Sequence, residues 1–259
     1  MVDADIRSYY DTIPPQRLLE RVEEKVSDRG VLTLIHAFLE QEVMEGLKHW
    51  TPEEGTPQGA VISPLLSNIY LNPLDHRIAG AGFERVRYAD DFVILCATEA
   101  EAQAALRLVE QWMTENELRL HPDKTRIVEA RQAGGFDFLG YHFERGYKWP
   151  RPKSLQKVKD RVRGKTKRTN GQRLDVIIAD VNESLRGWFQ YFQHSHKTAL
   201  RQLDGWVRGR LRSILRKRSK RKGRARGKDH QRWPNAFFAK HRLFSLEQAR
   251  AEACQSSCR

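Results

Sequence analysis

Long apolar runs are missing from these 259 residues: no window approaches the ~18 uninterrupted apolar residues of a membrane span. The N-terminus also lacks the apolar core of a secretory leader, so a cytoplasmic location is expected. Only three cysteines occur, Cys96, Cys254 and Cys258, too few for a disulfide framework and suited to a reducing compartment. Cys254 and Cys258 have a loose zinc-like spacing, but no second Cys or His pair accompanies them. No internal repeat is evident. Acidic residues are scarce in one region alone. Residues 151–228 contain 25 Lys+Arg against 5 Asp+Glu, whereas residues 1–150 contain 16 against 25. An acidic half joined to a strongly basic half suggests a catalytic or metal-binding body with an arm for a polyanion, most simply nucleic acid.

What is present begins with "MVDADI", whose alternation predicts a strand with Val2, Ala4 and Ile6 on one face and Asp3 and Asp5 on the other. Pro14 and Pro15 suit the first turn of a helix bearing Leu18, Leu19, Val22 and Val26. A second helix is expected over Val31–Met44, then a loop or short hairpin over Lys48–Gly55, then a helix in "SPLLSNIYLNPLDHRIA". "RVRYADDFVILC" (85–96) reads as a buried strand pair with Asp90 and Asp91 at its turn. A helix from about Glu99 to Glu117 and short strands at Thr125–Glu129 and Phe136–Phe143 complete an α+β layer.

After Pro150 the pattern is wholly helical, with predicted helices over Ser154–Arg168, Leu174–His194 and from about Thr198. The last of these should turn Leu200, Leu203, Val207, Leu211 and Ile214 inward, with Arg201, Arg208, Arg212 and Arg216 elsewhere on its surface. The run "RKRSKRKGRARGK" (216–228) is expected to be flexible and ordered by a partner.

If the strands of Asp5 and Asp90–Asp91 are neighbours, three carboxylates converge. They repel one another unless divalent cations neutralise them. Hard carboxylate oxygens without nearby His or Cys favour Mg²⁺, and an acidic metal site beside a basic arm describes phosphoryl transfer on nucleic acid.

The words around the acids sharpen this. "YADD" (88–91), "DIRSYYDTI" (5–13), "GTPQGAVISPLLSNIYLNPLD" (55–75), "LRLHPDKTRIV" (118–128), "GFDFLGYHF" (135–143) and "VNESLRGWFQYF" (181–192) occur in an order that resembles group II intron-encoded reverse transcriptases/maturases. The resemblance implies a right-hand polymerase palm over 1–149, an all-helical thumb or maturase X domain over 150–215, and a basic linker with a small nucleic-acid-binding segment over 216–259. It implies RNA-directed DNA polymerisation with two Mg²⁺ ions on Asp5, Asp90 and Asp91. Expected partners are intron RNA, a DNA target or primer, and deoxynucleoside triphosphates.

Carried over by position, Tyr10 matches the aromatic that packs on the incoming sugar and disfavours a 2′-hydroxyl, although a core aromatic is the alternative. The Tyr9-Tyr10 pair stands where the family commonly has phenylalanines. Pro57, Gln58 and Gly59 match the turn that meets the nascent pair, and Lys124 a lysine near the triphosphate or else a solvated surface lysine. Tyr88 is expected to pack beneath the acidic turn, near the primer end. Phe138, Leu139, Gly140 and Tyr141 match the hairpin that grips the primer, although Phe138 and Leu139 also suit a core. Arg208, Arg212, Arg216, Lys217, Arg218, Lys220, Arg221 and Lys222 are the expected RNA contacts.

The family places a fingers region ahead of the Asp5 strand. It is expected to be missing here, because the sequence is a fragment, a separate chain completes it, or the element was truncated by decay, and the chain alone is expected to be weak or inactive in extension. No zinc-type endonuclease motif is seen in the C-terminal residues. Two other outcomes follow from the same residues: a maturase that stabilises intron RNA without polymerising, and an inert remnant.

Overall fold

The computed structural model describes residues 1–40, 61–221 and 227–256, together with the backbone of 43–45 and 48–50. The chain divides into two compact units, Met1–Glu129 and Ala130–Arg259. Among the described residues no helix is long and apolar enough to cross a membrane. The mixture of helix and sheet is the expected α+β class.

In the first unit, β1 (Val2–Asp5), β4 (Glu84–Tyr88), β5 (Asp91–Leu95) and β6 (Arg126–Ile127) form an antiparallel sheet in the order β4-β5-β1-β6. A core backs this sheet, built from Val2, Ala4 and Ile6 with buried residues of the helices α2 (Pro15–Glu23), α3 (Arg29–Leu39), α4 (Ser63–Gly80) and α5 (Glu99–Glu115). Between β1 and α2 lies a single turn, α1 (Tyr9–Thr12). It is fixed from inside the core, where the buried Tyr9 hydroxyl donates to Ser67 O of α4 at 2.8 Å.

Several sequence expectations change here. The Val31–Met44 helix is instead α3, capped by Asp28, whose Oδ1 accepts from Val31 N at 3.0 Å. Residues 43–45 form β2 (Val43–Glu45), paired with β3 (Lys48–Trp50). The apolar repeat that suggested a longer helix covered two faces: Ile35 and Leu39 are buried, whereas Val31, Leu34 and Phe38 are exposed. The strand pair around the acids is buried only in β5. As an edge strand, β4 leaves Val86 46% and Tyr88 68% exposed, so Tyr88 does not pack beneath the turn. The α5 helix stops two residues early because Asn116 caps it and Glu117 takes φ +56°.

In the second unit, the stretch 136–143 is a hairpin, not one strand. β7 (Phe136–Phe138) pairs with β8 (Tyr141–Glu144), and a third strand that sequence periodicity did not reveal, β9 (Tyr147–Pro150), pairs with β8. The chain reverses at Leu139 (φ +47°) and Gly140 (φ +78°). Gly140→Ala should cost ~1–2 kcal/mol, the penalty of placing a Cβ in left-handed backbone, read as a lower denaturation midpoint.

The helices α6 (Pro152–Lys165), α7 (Leu174–Phe192) and α8 (Lys197–Arg218) follow as expected. Ile177, Ile178, Val181 and Leu185 of α7 meet Leu200, Leu203, Val207, Leu211 and Ile214 of α8 in one core. Trp233, Phe238 and Leu246 join the same core from α9 (Gly227–Arg232), α10 (Asn235–Lys240), α11 (Leu246–Ser256) and the turns beside them. Asp204, buried in α8, caps α11: its carboxylate accepts from Leu246 N at 3.1 Å and Glu247 N at 3.2 Å.

Candidate functional site

Asp5 is the last residue of β1 and stands opposite Asp91, the first residue of β5, in the antiparallel register. Asp90 sits in the tight turn between β4 and β5. The turn needs support, because Ala89 adopts φ +55°, a conformation that costs an L-residue roughly 1–2 kcal/mol. Arg87 supplies it: Nη1 donates to Ala89 O at 3.0 Å and to Asn68 Oδ1 at 2.8 Å. The same guanidinium, with Arg85, closes on Asp75 of α4, which accepts from Arg85 Nε at 2.8 Å and Arg87 Nε at 3.1 Å. Burial pushes the Asp75 carboxyl up, but the bonds from Arg87 and Arg85 outweigh it and hold the group below the usual carboxylate range. Asp75, Arg85 and Arg87 were not singled out from sequence. The only signal was a buried-looking aspartate in "NPLD" and two arginines alternating along β4.

Partial burial pushes the Asp90 carboxyl above its ordinary pKa; its own backbone N–H opposes this, the charge of Asp5 adds to it, and Lys124 opposes it. Lys124 Nζ lies 2.7 Å from Asp5 Oδ2, and its pKa is raised by that bond and by the charges of Asp5, Asp90 and Asp91. Thus Asp5, Asp90 and Lys124 are brought together from three distant stretches of the chain. Among the described residues, however, no three Asp, Glu, His or Cys side chains stand close enough to hold a metal ion by themselves. The donor chemistry still suits a hard divalent ion. Asp5 and Asp90 offer carboxylate oxygens whose mutual repulsion a cation relieves, and water and phosphate oxygens ordinarily complete a Mg²⁺ shell.

Tyr10 is half-buried, its ring 5.6 Å from that of Tyr9 and packed at the margin of the core. Pro57, Gln58 and Gly59 lie outside the described residues.

In the second unit, Phe138 is buried, and Leu139, Gly140 and Tyr141 are partly exposed at the reversal. Tyr191 of α7 donates its hydroxyl to Leu139 O at 2.7 Å, while the Tyr141 hydroxyl donates back to Tyr191 O. Arg151 N also donates to Gly140 O at 2.9 Å.

The basic residues separate into two kinds. The expected surface placement of Arg212 and Arg216 is corrected. Arg212 is 2% exposed, donating to Trp233 O and Asn235 Oδ1 at 2.9 Å each, with its guanidinium 5.1 Å from the Phe238 ring. Arg216 Nη1 lies 2.6 Å from Oδ2 of Asp229, whose side chain is fully buried. Both arginines sit on the side of α8 that α9 and α10 cover, a packing invisible to helical periodicity because arginine reads as surface. Residues 216–218 are likewise the last turn of α8, not a flexible run. Arg218 donates to Asn170 O at 3.3 Å and to Gln172 O. Arg208 is half-buried, and Lys217, Lys220 and Arg221 are exposed; Lys222 lies outside the described residues.

Residues 1–143 match the family model described as reverse transcriptase (RNA-dependent DNA polymerase), and residues 155–233 match that of the group II intron maturase-specific domain. Protein YkfC of Escherichia coli is 31% identical, over 56% of this chain and 47% of its own length. Group II intron-encoded protein LtrA of Lactococcus lactis is 38% identical over 29% of this chain and 12% of its own. The putative COX1/OXI3 intron 1 protein of Saccharomyces cerevisiae is 22% identical over 70% and 28%. The chain therefore spans less than half the length of each of these relatives. With a reverse-transcriptase match over more than half of its residues and a maturase-specific match after it, the chain belongs to the group II intron reverse transcriptase/maturase family.

Proposed function

We propose that the chain is an RNA-directed DNA polymerase of a group II intron that also binds intron RNA in a maturase role. The observation that carries this reading is the meeting of Asp5 and Asp90 at the ends of neighbouring strands, with Lys124 against Asp5. In this reading residues 1–149 act as the palm, 150–215 as the thumb or X domain, and 216–259 as the basic and C-terminal nucleic-acid-binding part.

Asp5 and Asp90 would hold two Mg²⁺ ions, with Asp91 as the less direct third acid. Bound there, the ions supply a lowered pKa for the attacking hydroxyl and charge stabilisation for the leaving phosphate. The chain's own residues do the positioning. Arg87 and Asp75 fix the turn that presents Asp90, and Lys124 neutralises Asp5 and is available to meet a triphosphate. Tyr88, exposed on the edge strand, and Leu139, Gly140 and Tyr141 of the hairpin, with the buried Phe138 packed beneath them, would contact primer and template. Pro57, Gln58 and Gly59 would meet the nascent pair. Arg208, Lys217, Lys220, Arg221 and Lys222 are the RNA contacts the reading retains.

The test is extension of a DNA primer on an RNA template with Mg²⁺ and deoxynucleoside triphosphates, alongside Asp5→Asn. Extension by the parent that Asp5→Asn eliminates supports the polymerase. RNA binding by both proteins with no extension by either supports the maturase role alone.

Tyr10→Ala should relax exclusion of ribonucleotides roughly 10–100-fold, the range a single shape contact supplies. The ratio of ribonucleotide to deoxynucleotide incorporation measures it; an unchanged ratio makes Tyr10 a packing residue.

A further inference from the structure

Beyond Asp5 the chain leaves β1 and runs beside residues 119–121. Ile6 bridges Leu120 in antiparallel sense, Arg7 N donates to Arg119 O at 2.9 Å, and His121 N donates to Asp5 O at 2.8 Å. That register sets Arg7 directly opposite Arg119. Both side chains are exposed, and neither forms an ion pair with an acidic group among the described residues. Two like charges facing each other across paired extended segments repel, a destabilising arrangement for the chain alone.

The two guanidiniums also line one groove of about 640 Å³, with Ser8 and Gln16 adding polar groups to its wall. Glu117, the acidic residue of the lining, is already answered: its Oε1 lies 2.8 Å from Arg17 Nη2. The groove is therefore lined by two neighbouring arginines, neither ion-paired to an acidic group among the described residues. Planar guanidinium forks match the oxygens of a phosphate, and paired forks share its charge.

We infer that the Arg7–Arg119 groove is a phosphate-binding site, taking a phosphate ester between the two opposed guanidiniums. The ester has two sources: a backbone phosphate of a nucleic-acid strand, or the phosphates of a free nucleotide. Arg7 is two residues beyond Asp5, about 6.6 Å along an extended chain, so a bound phosphate would neighbour the acidic site without touching the acids. The inference stands on the groove alone, whether or not Asp5 and Asp90 catalyse.

The test uses the full chain in EDTA, so polymerisation plays no part and failure of the polymerase reading is scored separately, by extension. Arg7→Gln/Arg119→Gln is compared with the parent and with Lys25→Gln/Arg107→Gln, which removes two exposed cations elsewhere on the same unit. The probes are a short single-stranded oligouridylate, followed by fluorescence anisotropy against salt, and inorganic pyrophosphate, followed by thermal stabilisation. If a strand supplies the phosphate, oligouridylate affinity falls on the order of a hundredfold, as two charge-assisted bonds are lost. The slope of log affinity against log salt then shrinks by ~0.7 per lost contact, and the control pair changes neither. If a nucleotide supplies it, oligouridylate binding holds and stabilisation by pyrophosphate disappears. Behaviour identical to the control pair with both probes overturns the site. So does a ligand-free melting temperature below that of the parent, since that would make the arginines structural.

Discussion

Asp90→Asn should eliminate Mg²⁺-dependent primer extension and, in the metal-free chain at neutral pH, should not destabilise the fold. On the polymerase reading, the first effect is set by the charge that the carboxylate would contribute around bound Mg²⁺. Losing several kcal/mol of transition-state stabilisation lowers the rate roughly a thousandfold or more. The second follows from the sign of the Asp90 shift. Partial burial and the neighbouring Asp5 raise its pKa in the folded chain, so the folded state holds the proton more tightly than the unfolded one. The penalty for an ionised Asp90 is therefore absent below the ordinary carboxylate pKa. It grows as pH rises through that value and is complete above the raised one. Asparagine removes the penalty, so its melting temperature should equal or exceed the parent's at pH 7, with the difference vanishing in acid. Extension and melting measured on one preparation decide the matter. Full extension by the variant would remove the catalytic role, and a lower neutral-pH melting temperature would show that Asp90 supports the turn rather than straining it.

Arg216→Ala should unfold the second unit more readily while leaving RNA contacts largely intact. Its guanidinium faces an aspartate that is entirely buried, 2.6 Å away. Removing one partner of such a pair takes a charge-assisted contact from a buried carboxylate, at ~3–5 kcal/mol. For a unit of this size that corresponds to a loss of roughly 10 °C or more in melting temperature. Lys220→Ala, on an exposed side chain, should do the reverse: stability within ~0.5 kcal/mol of the parent, and a salt slope for RNA binding reduced by ~0.7. Chemical denaturation and salt-dependent binding, run on both variants, separate the roles. If Arg216→Ala melts with the parent and loses RNA affinity instead, the pair with Asp229 contributes little and the arginine belongs with the surface cations.

These two cases show what a linear reading captures. The alternation of Val2, Ala4 and Ile6 places Asp3 and Asp5 on the other face, because a strand's side chains have only two directions. The helical stripes of α7 and α8 were legible for the same geometric reason. Arg212 and Arg216 were not, since nothing local distinguishes an arginine facing solvent from one covered by a segment 13 to 23 residues away. The Asp75–Arg85–Arg87 cluster was hidden likewise: its members belong to α4 and β4, and only folding joins them. The residues opposing Asp5 could be guessed from family wording, but the ion pair with Lys124 depends on residues 119–121 running beside the end of β1.

The hydroxyl of Tyr191 and that of Tyr141 tie the reversal at Leu139–Tyr141 to the last turn of α7 in both directions. The reversal is thereby a mechanical appendage of that helix rather than an independent loop. A protease nick at Arg131–Gly134, on the exposed approach to β7, would leave it seated. Tyr191→Phe removes the bond to the Leu139 carbonyl and should loosen the reversal ahead of the helix, read as faster proteolysis within 139–141 while α7 stays protected.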